Sequence, residues 1–361
     1  MGLLDRLKRM LQAEPGAATP PGGPSTLTGS TLPLSTRPMS TMPAFATTKV
    51  PTIDVPVHLR LLEEIGRGAM AVVHRAIDTR NDHEVALKRL LLSSEVAPED
   101  LADTRARFLR EAQAAQALDH PDILHVHELG VGADGDAWIV MEFVRGHDLS
   151  QHVQHGTLLP IGQALRVCIR LARALDHAHR RGIVHRDIKP ANIRIDPASD
   201  TVKIMDFGIA RVADGTRTRT GLVLGTPSYM APEQLTGHPV DGRSDLYSLG
   251  VVLYQLLTGH LPHQSESMAR LMFEITNERV ADVRDLRPGL PEALAMVLSL
   301  ALEKRPDRRY ANGEDLAQDL EAVLDQLEPL DLVMAPPPVG RAPVTPAAFV
   351  QTQNLPPGGT A

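Results

Sequence analysis

His185-Arg186-Asp187-Ile188-Lys189-Pro190-Ala191-Asn192, followed after thirteen intervening residues by Asp206-Phe207-Gly208, is the stretch on which the reading of this chain turns. Three of its side chains have the chemistry that phosphoryl transfer requires. The Asp187 carboxylate is suited to accept a hydroxyl proton, while Asn192 and Asp206 offer hard oxygen ligands of the kind magnesium prefers. Transfer of a γ-phosphoryl group needs positioning and charge neutralisation rather than covalent chemistry from the protein, and these residue types supply both.

Working outward towards the N-terminus, Ile65-Gly66-Arg67-Gly68-Ala69-Met70-Ala71-Val72-Val73 joins two strand-like runs. Glycines there let backbone amides approach phosphates with no side chain intervening. A Gly-x-Gly alone is weak evidence, but it precedes Val85-Ala86-Leu87-Lys88, a helical Arg107-Phe108-Leu109-Arg110-Glu111 and then Met141-Glu142-Phe143-Val144. Towards the C-terminus come Ala231-Pro232-Glu233, Arg243-Ser244-Asp245-Leu246-Tyr247-Ser248-Leu249-Gly250 and Lys304-Arg305-Pro306-Asp307-Arg308-Arg309-Tyr310. This ordered set resembles the eukaryotic-like (Hanks-type) serine/threonine protein kinases, particularly their bacterial branch. The resemblance covers residues 57–328 and neither tail.

The resemblance implies an α+β, two-lobed fold, with a small β-rich N-lobe and a larger α-helical C-lobe. It implies an enzyme that transfers the γ-phosphoryl of Mg-ATP (with Mn2+ as the alternative metal) to serine and threonine hydroxyls of proteins. Asp187 is then the catalytic base, with Lys189 steadying the γ-phosphate and marking serine/threonine specificity. Asn192 and Asp206 hold magnesium. ATP binding falls to Ile65, Gly66, Gly68, Ala71, Val73, Ala86, Lys88, Glu111, Glu142 and Val144. Within that set Lys88 contacts the α- and β-phosphates and is held by Glu111, and Met141 is the gatekeeper before the hinge. His185 and Phe207 pack beneath the site, Asp245 braces the catalytic loop and Glu233 pairs with Arg309. Arg186, with Arg211, forms a cationic cluster for a phosphorylated activation loop, with Thr218 and Thr220 as its modification sites.

Two positions depart from the family pattern: Ala71 replaces the third glycine, and Arg194 stands where an apolar residue normally lies beneath adenine. The alternatives are a pseudokinase, which intact Lys88, Asp187 and Asp206 oppose, and a small-molecule phosphotransferase, which the Ala-Pro-Glu closure and threonine-bearing segment oppose.

The bulk properties agree. At 361 residues and 43% hydrophobic the chain can bury a sizeable core, filled mainly by aliphatic residues because only 3% are aromatic. A net charge of -7 argues against general nucleic-acid binding. The single cysteine, Cys168, lies in an apolar helical pattern and reads as a buried structural thiol of a reducing compartment. There is no apolar run of about 20 residues, no secretory signal, and Arg6 stands where a myristoylation signal wants serine or threonine. His125 and His127 share a strand face, but without a third ligand they do not make a transition-metal site.

The expected organisation is a short amphipathic helix in residues 1–14, a disordered Pro/Ser/Thr-rich linker over 15–56, the kinase domain over 57–328 and a disordered Pro-rich tail over 329–361. Leu3, Leu4, Leu7, Met10 and Leu11 form the apolar face of the first helix. So short a helix needs a surface to lie against, and a partner, a membrane or the kinase domain itself would serve. The expected location is cytoplasmic, with peripheral membrane association through this helix as one option. Expected partners are protein substrates and a cognate phosphatase.

Overall fold

The computed structural model describes residues 3–12, 55–68, 71–92, 98–132, 136–207 and 227–327. Five antiparallel strands form the first lobe: β1 (Leu59–Arg67), β2 (Ala71–Asp78), β3 (His83–Leu90), β4 (Val126–Val131) and β5 (Ala137–Glu142), in the spatial order β1-β2-β3-β5-β4. The β2–β3 hairpin turns where the Asp78 carboxylate accepts the Arg80 N–H and Asp82 adopts a left-handed φ of 60°. Both are habits of aspartate in turns. Helix α2 (Pro98–Gln116) covers one face of the sheet, burying Phe108 and Ala112 against Ala86, Ile139 and Met141. The other face carries a smaller cluster of Leu59, Ala76, Val85, Leu87 and Val140.

The second lobe is helical apart from a three-stranded sheet of β6 (His147–Asp148), β7 (Ile193–Asp196) and β8 (Thr201–Ile204). Its frame is α3 (Ile161–His179), α4 (Pro232–Thr236), α5 (Gly242–Thr258), α6 (Met268–Asn277), α7 (Val283–Leu286), α8 (Glu292–Ala301) and α9 (Gly313–Leu324). Every residue of α5 from Ser244 to Thr258 is buried, as befits a helix surrounded by others. Asp241 caps its start by accepting the Arg243 N–H. Gly313 opens α9 where a Cβ would stand 2.1 Å from the Ala172 carbonyl oxygen, so only glycine lets α9 close onto α3. Cys168 is fully buried within α3, and burial pushes its thiol up to about 12, in keeping with a structural role.

Two elements differ from the sequence expectation. The run Ile123–Leu129 has the residue types of a strand, but β4 begins at Val126. Leu124 N–H instead donates to the Ile204 carbonyl at 2.9 Å, and Ile204 N–H donates to the Asp122 carbonyl at 2.9 Å. These residues therefore join the two lobes instead of extending the sheet. The helical pattern readable over Thr104–Leu118 belongs to a helix that starts earlier, at Pro98, with Glu99 and Asp100 in its first turn. Proline at a helix start and early acids both suit the unpaired amides there.

Residues Leu3–Gln12 form a helix, α1, and it lies on the C-lobe. Leu7 is fully buried and Leu3, Leu4 and Leu11 pack around it, whereas Met10 is 38% exposed and leaves the apolar face assigned to it by periodicity. The linker and C-terminal tail lie outside the described residues, except for residues 55–56.

Candidate active site

The catalytic segment begins where α3 ends. Gly182 turns the chain, and His185 and Arg186 then present their amides to one buried carboxylate. His185 N–H donates to Asp245 Oδ2 at 2.8 Å and Arg186 N–H to Asp245 Oδ1 at 2.7 Å. Those bonds hold Arg186 at φ 69°, a conformation a side chain rarely adopts without support. His185 Nε2 lies 2.8 Å from the Met205 carbonyl, and its Nδ1 accepts the Asp187 N–H at 3.2 Å. The two bonds together assign the proton to Nε2. The His185 ring meets Phe207 edge-on at 4.7 Å, both buried.

Asp187 is held through one oxygen. Lys189 Nζ and Asn192 Nδ2 both donate to its Oδ2, at 2.8 and 2.9 Å, and Asn192 Nδ2 also donates to the Asp187 carbonyl at 2.8 Å. With both contacts spent from its nitrogen, the Asn192 amide turns its oxygen the other way. Asp206 follows β8 at φ 57° and pairs with Lys88 of β3, Nζ to Oδ1 at 2.6 Å. Burial alone would raise the Asp206 carboxyl. The Lys88 cation beside it, with His185 and Lys189 beyond, holds it below the usual carboxylate range, so it is an anion. The carboxylates of Asp187 and Asp206, the Asn192 amide oxygen and two lysines are groups of the kind that suit a hard divalent cation and polyphosphate. Lys88 thus forms an ion pair with Asp206 across the two lobes.

The residues that the resemblance assigns to the nucleotide lie largely on β1–β3 and β5. Gly66 stands opposite Val73, Ala86 opposite Met141 and Lys88 opposite Ile139. Ile65 is 45% exposed, which for a large apolar residue on β1 fits a cover over a ligand. Ala69, Met70 and the segment 208–226, with Arg211, Thr218, Thr220 and Thr226, lie outside the described residues. At the segment joining the lobes, Glu142 Oε1 accepts from the His125 N–H at 2.7 Å and from Lys203 Nζ at 2.7 Å, and Val144 is buried. Arg194 is tied to the backbone of the segment joining the lobes. Its Nη2 donates to the Gly146 carbonyl at 2.6 Å just past Val144, and its Nε is buried.

The end of the activation segment is anchored twice. Glu233 and Arg309 form a buried two-pronged ion pair at 2.7 and 2.7 Å, with Ser244 donating to Glu233 Oε1 at 2.5 Å. Burial opposes charge on Glu233, but Arg309 and Ser244 hold its carboxyl below the usual range. Gln234 donates through Nε2 to the Arg186 carbonyl at 2.9 Å and accepts the Ala231 N–H at 2.9 Å, tying the Ala-Pro-Glu turn to the catalytic loop.

Gln234, His179 and Lys203 are site residues that the sequence reading did not assign. His179 Nε2 is 2.8 Å from Asp245 Oδ2, making it the third partner of that carboxylate. Its recoverable signal was Gly242: a Cβ there would lie 2.5 Å from His179 Nδ1, so a glycine at the start of α5 marks a close neighbour. Among the described residues, no group of three or more His, Cys, Asp or Glu side chains is placed to hold a metal.

Comparison with known proteins agrees with this geometry. The protein kinase domain family matches residues 59–320. Serine/threonine-protein kinase pkn3 of Myxococcus xanthus is 38% identical over 315 residues, covering 81% of this chain and 56% of that protein. PknB of Mycobacterium leprae is 40% identical (73% and 43% covered), and PrkC of Bacillus subtilis 37% (74% and 40%). The chain thus spans about half the length of these relatives. The kinase domain of PknI from Mycobacterium tuberculosis superposes with a TM-score of 0.59 at 30% identity, covering 75% of this chain and 98% of that one. From the paired Asp187 and Asn192, the Asp245 brace and the Glu233–Arg309 clasp to these relatives, one conclusion follows: the chain belongs to the protein kinase family, in its bacterial Hanks-type serine/threonine branch.

Proposed function

We propose that this chain is an active serine/threonine protein kinase that transfers the γ-phosphoryl of ATP to protein hydroxyls, and that phosphorylation at Thr218 or Thr220 activates it. The observation that carries this reading is the double restraint on Asp187 Oδ2 by Lys189 and Asn192, which orients the carboxylate, together with an Asp206 held as an anion by Lys88. Asp187 Oδ1 is assigned to the substrate hydroxyl. That hydroxyl loses its proton to Asp187 as its oxygen bonds to the γ-phosphorus, and the bond from phosphorus to the β–γ bridging oxygen breaks to release ADP. Lys189 lies beside the base and steadies the γ-phosphate, while Lys88 serves the α- and β-phosphates. Asp206 and the Asn192 oxygen would hold the divalent metal, taken as Mg2+ with Mn2+ as the alternative, whose contribution is to offset charge between phosphates. The backbone around Glu142 and Val144 would hold adenine.

Incubating the purified protein with Mg-ATP and reading intact mass, with site mapping, beside Asp187→Ala tests this. Phosphate is expected in wild type only, including Thr218 or Thr220. Equal gain in both proteins would remove Asp187 from its role. No transfer by wild type, either to itself or to a generic serine/threonine protein substrate, would overturn the activity.

A further inference from the structure

Helix α1 spends its whole apolar face in one place. Leu7 is fully buried in the C-lobe core, with Leu3, Leu4 and Leu11 packed around it, and the helix lies along α8. Its polar contacts are one-sided in charge. Arg6 pairs with Asp319 of α9, and Lys8 Nζ stands 3.4 Å from Glu292 at the start of α8. Asp319 is buried, and its other oxygen accepts the hydroxyl of the buried Tyr310 at 3.0 Å. A carboxylate that deep with only a phenol for company is costly, so the C-lobe carries a group that calls for an incoming cation. The acids belong to the receiving surface and the bases to the helix, which bears Arg6, Lys8 and Arg9 against a single Asp5. None of these residues takes part in the catalytic site described above. A ten-residue helix is marginal alone, so its folding and its docking are coupled. Residues 13–58 join it to β1, which makes the docking intramolecular and raises its effective concentration.

We propose that the α8–α9 face is a helix-docking site, with the chain's own N-terminal helix as its ligand, recognised by a buried leucine next to an arginine that neutralises Asp319. The site is separable from catalysis, and α1 is bound to it as a peptide is bound, not as a fixed part of the core. While docked, α1 cannot offer the same face to a membrane or to another protein. Release would expose both the helix and its groove.

A fluorescein-labelled peptide of residues 1–14, titrated into the full chain, tests the proposal. In wild type the groove is already filled, so the peptide should bind weakly. Leu7→Asp should empty the groove and tighten peptide binding by roughly tenfold or more. Adding Asp319→Asn to that variant should weaken binding again by about fivefold or more, since it removes the charge and keeps the shape. Arg6→Glu, on a side chain 43% exposed, is a second way to release the helix without touching the core, and should also raise peptide binding. Equal peptide binding by wild type and both release variants would overturn the cis docking. No binding by a release variant with a wild-type circular dichroism spectrum would overturn the groove as a docking site.

Discussion

Asp245 accepts from the His185 and Arg186 amides and meets His179 Nε2, with none of its own surface exposed. It touches no group assigned to nucleotide or substrate, so it acts on catalysis only by setting where the loop carrying Asp187 lies. The left-handed Arg186 is the point at which that control is needed, because such a backbone costs about 1–3 kcal/mol and persists only when its surroundings enforce it. Asp245→Asn keeps the volume but places an amide nitrogen against at least one donor. The expected result is a kcat lower by roughly tenfold or more with a KM for ATP changed by less than about twofold, in a protein that still folds. A KM rise with kcat intact would show that Asp245 serves nucleotide binding instead. Arg194 illustrates the reverse relation between sequence and structure. Its departure from the family pattern was visible in the sequence, but its hydrogen bond to the Gly146 carbonyl was not, because that partner lies 48 residues away.

At the scale of elements, legibility followed locality. Strand-like residues run over Leu59–Ile65, Ala71–Ile77 and Glu84–Leu90 with a polar turn at Asp78–Asp82, and β1, β2 and β3 lie close to those runs, since a hairpin's instructions are contained in its own residues. Ile123 and Leu124 are as strand-like as Val126, yet their backbone is committed to β8, a pairing no local pattern encodes. The site divides in the same way. Asp187, Asn192, Asp206 and Lys88 announced themselves in short motifs, whereas His179 and Gln234 act on partners far along the chain. The junction between the α5–α6 loop and the end of α8 was silent for the same reason. There, buried His263 lies 3.0 Å from Lys304 Nζ, with Glu274 of α6, Glu278 just beyond it and Arg309 nearby. Burial and then the Lys304 charge lower His263 to about 4. Burial and then Arg309 lower Lys304 to about 8. In the unfolded chain His263 takes a proton near 6.5, which the folded protein refuses until about 4. Stability from this group is therefore complete above 6.5 and lost as pH falls, at up to about 1.4 kcal/mol per pH unit. Lys304 is charged in both states throughout that window and adds no slope. Denaturant unfolding at pH 7 and pH 5 should show His263→Gln losing less stability than wild type. Equal losses would mean that His263 is already protonated in the fold.

Across the whole molecule the apolar interior is divided, and the division bears on how the protein opens. The C-lobe has one contiguous core, running through α3, α5, α8 and α9 with α1 docked on it, while the N-lobe relies on two smaller clusters on opposite faces of its sheet. Contacts that cross between the lobes include charged and backbone pairs such as Lys88–Asp206, Lys203–Glu142 and Leu124–Ile204. Two part-buried ion pairs, a few hydrogen bonds and limited apolar contact at Ala115 and Met205 couple two cores weakly compared with a shared one, so the lobes should open as separate units. In native-state hydrogen exchange, amides of β1–β5 are expected to open at lower free energy than those of α3 and α5. Phe108, fully buried beneath the sheet, is the residue with which to test the separation. Phe108→Ala removes about 3–5 kcal/mol of packing, and that loss should fall on the N-lobe amides alone. Nucleotide binding should restore part of their protection, because a ligand stabilises the unit that binds it. If Phe108→Ala lowers protection in α3 and α5 by as much as in β3 and β5, the two lobes form a single cooperative unit, and the few contacts between them are stronger than their chemistry suggests.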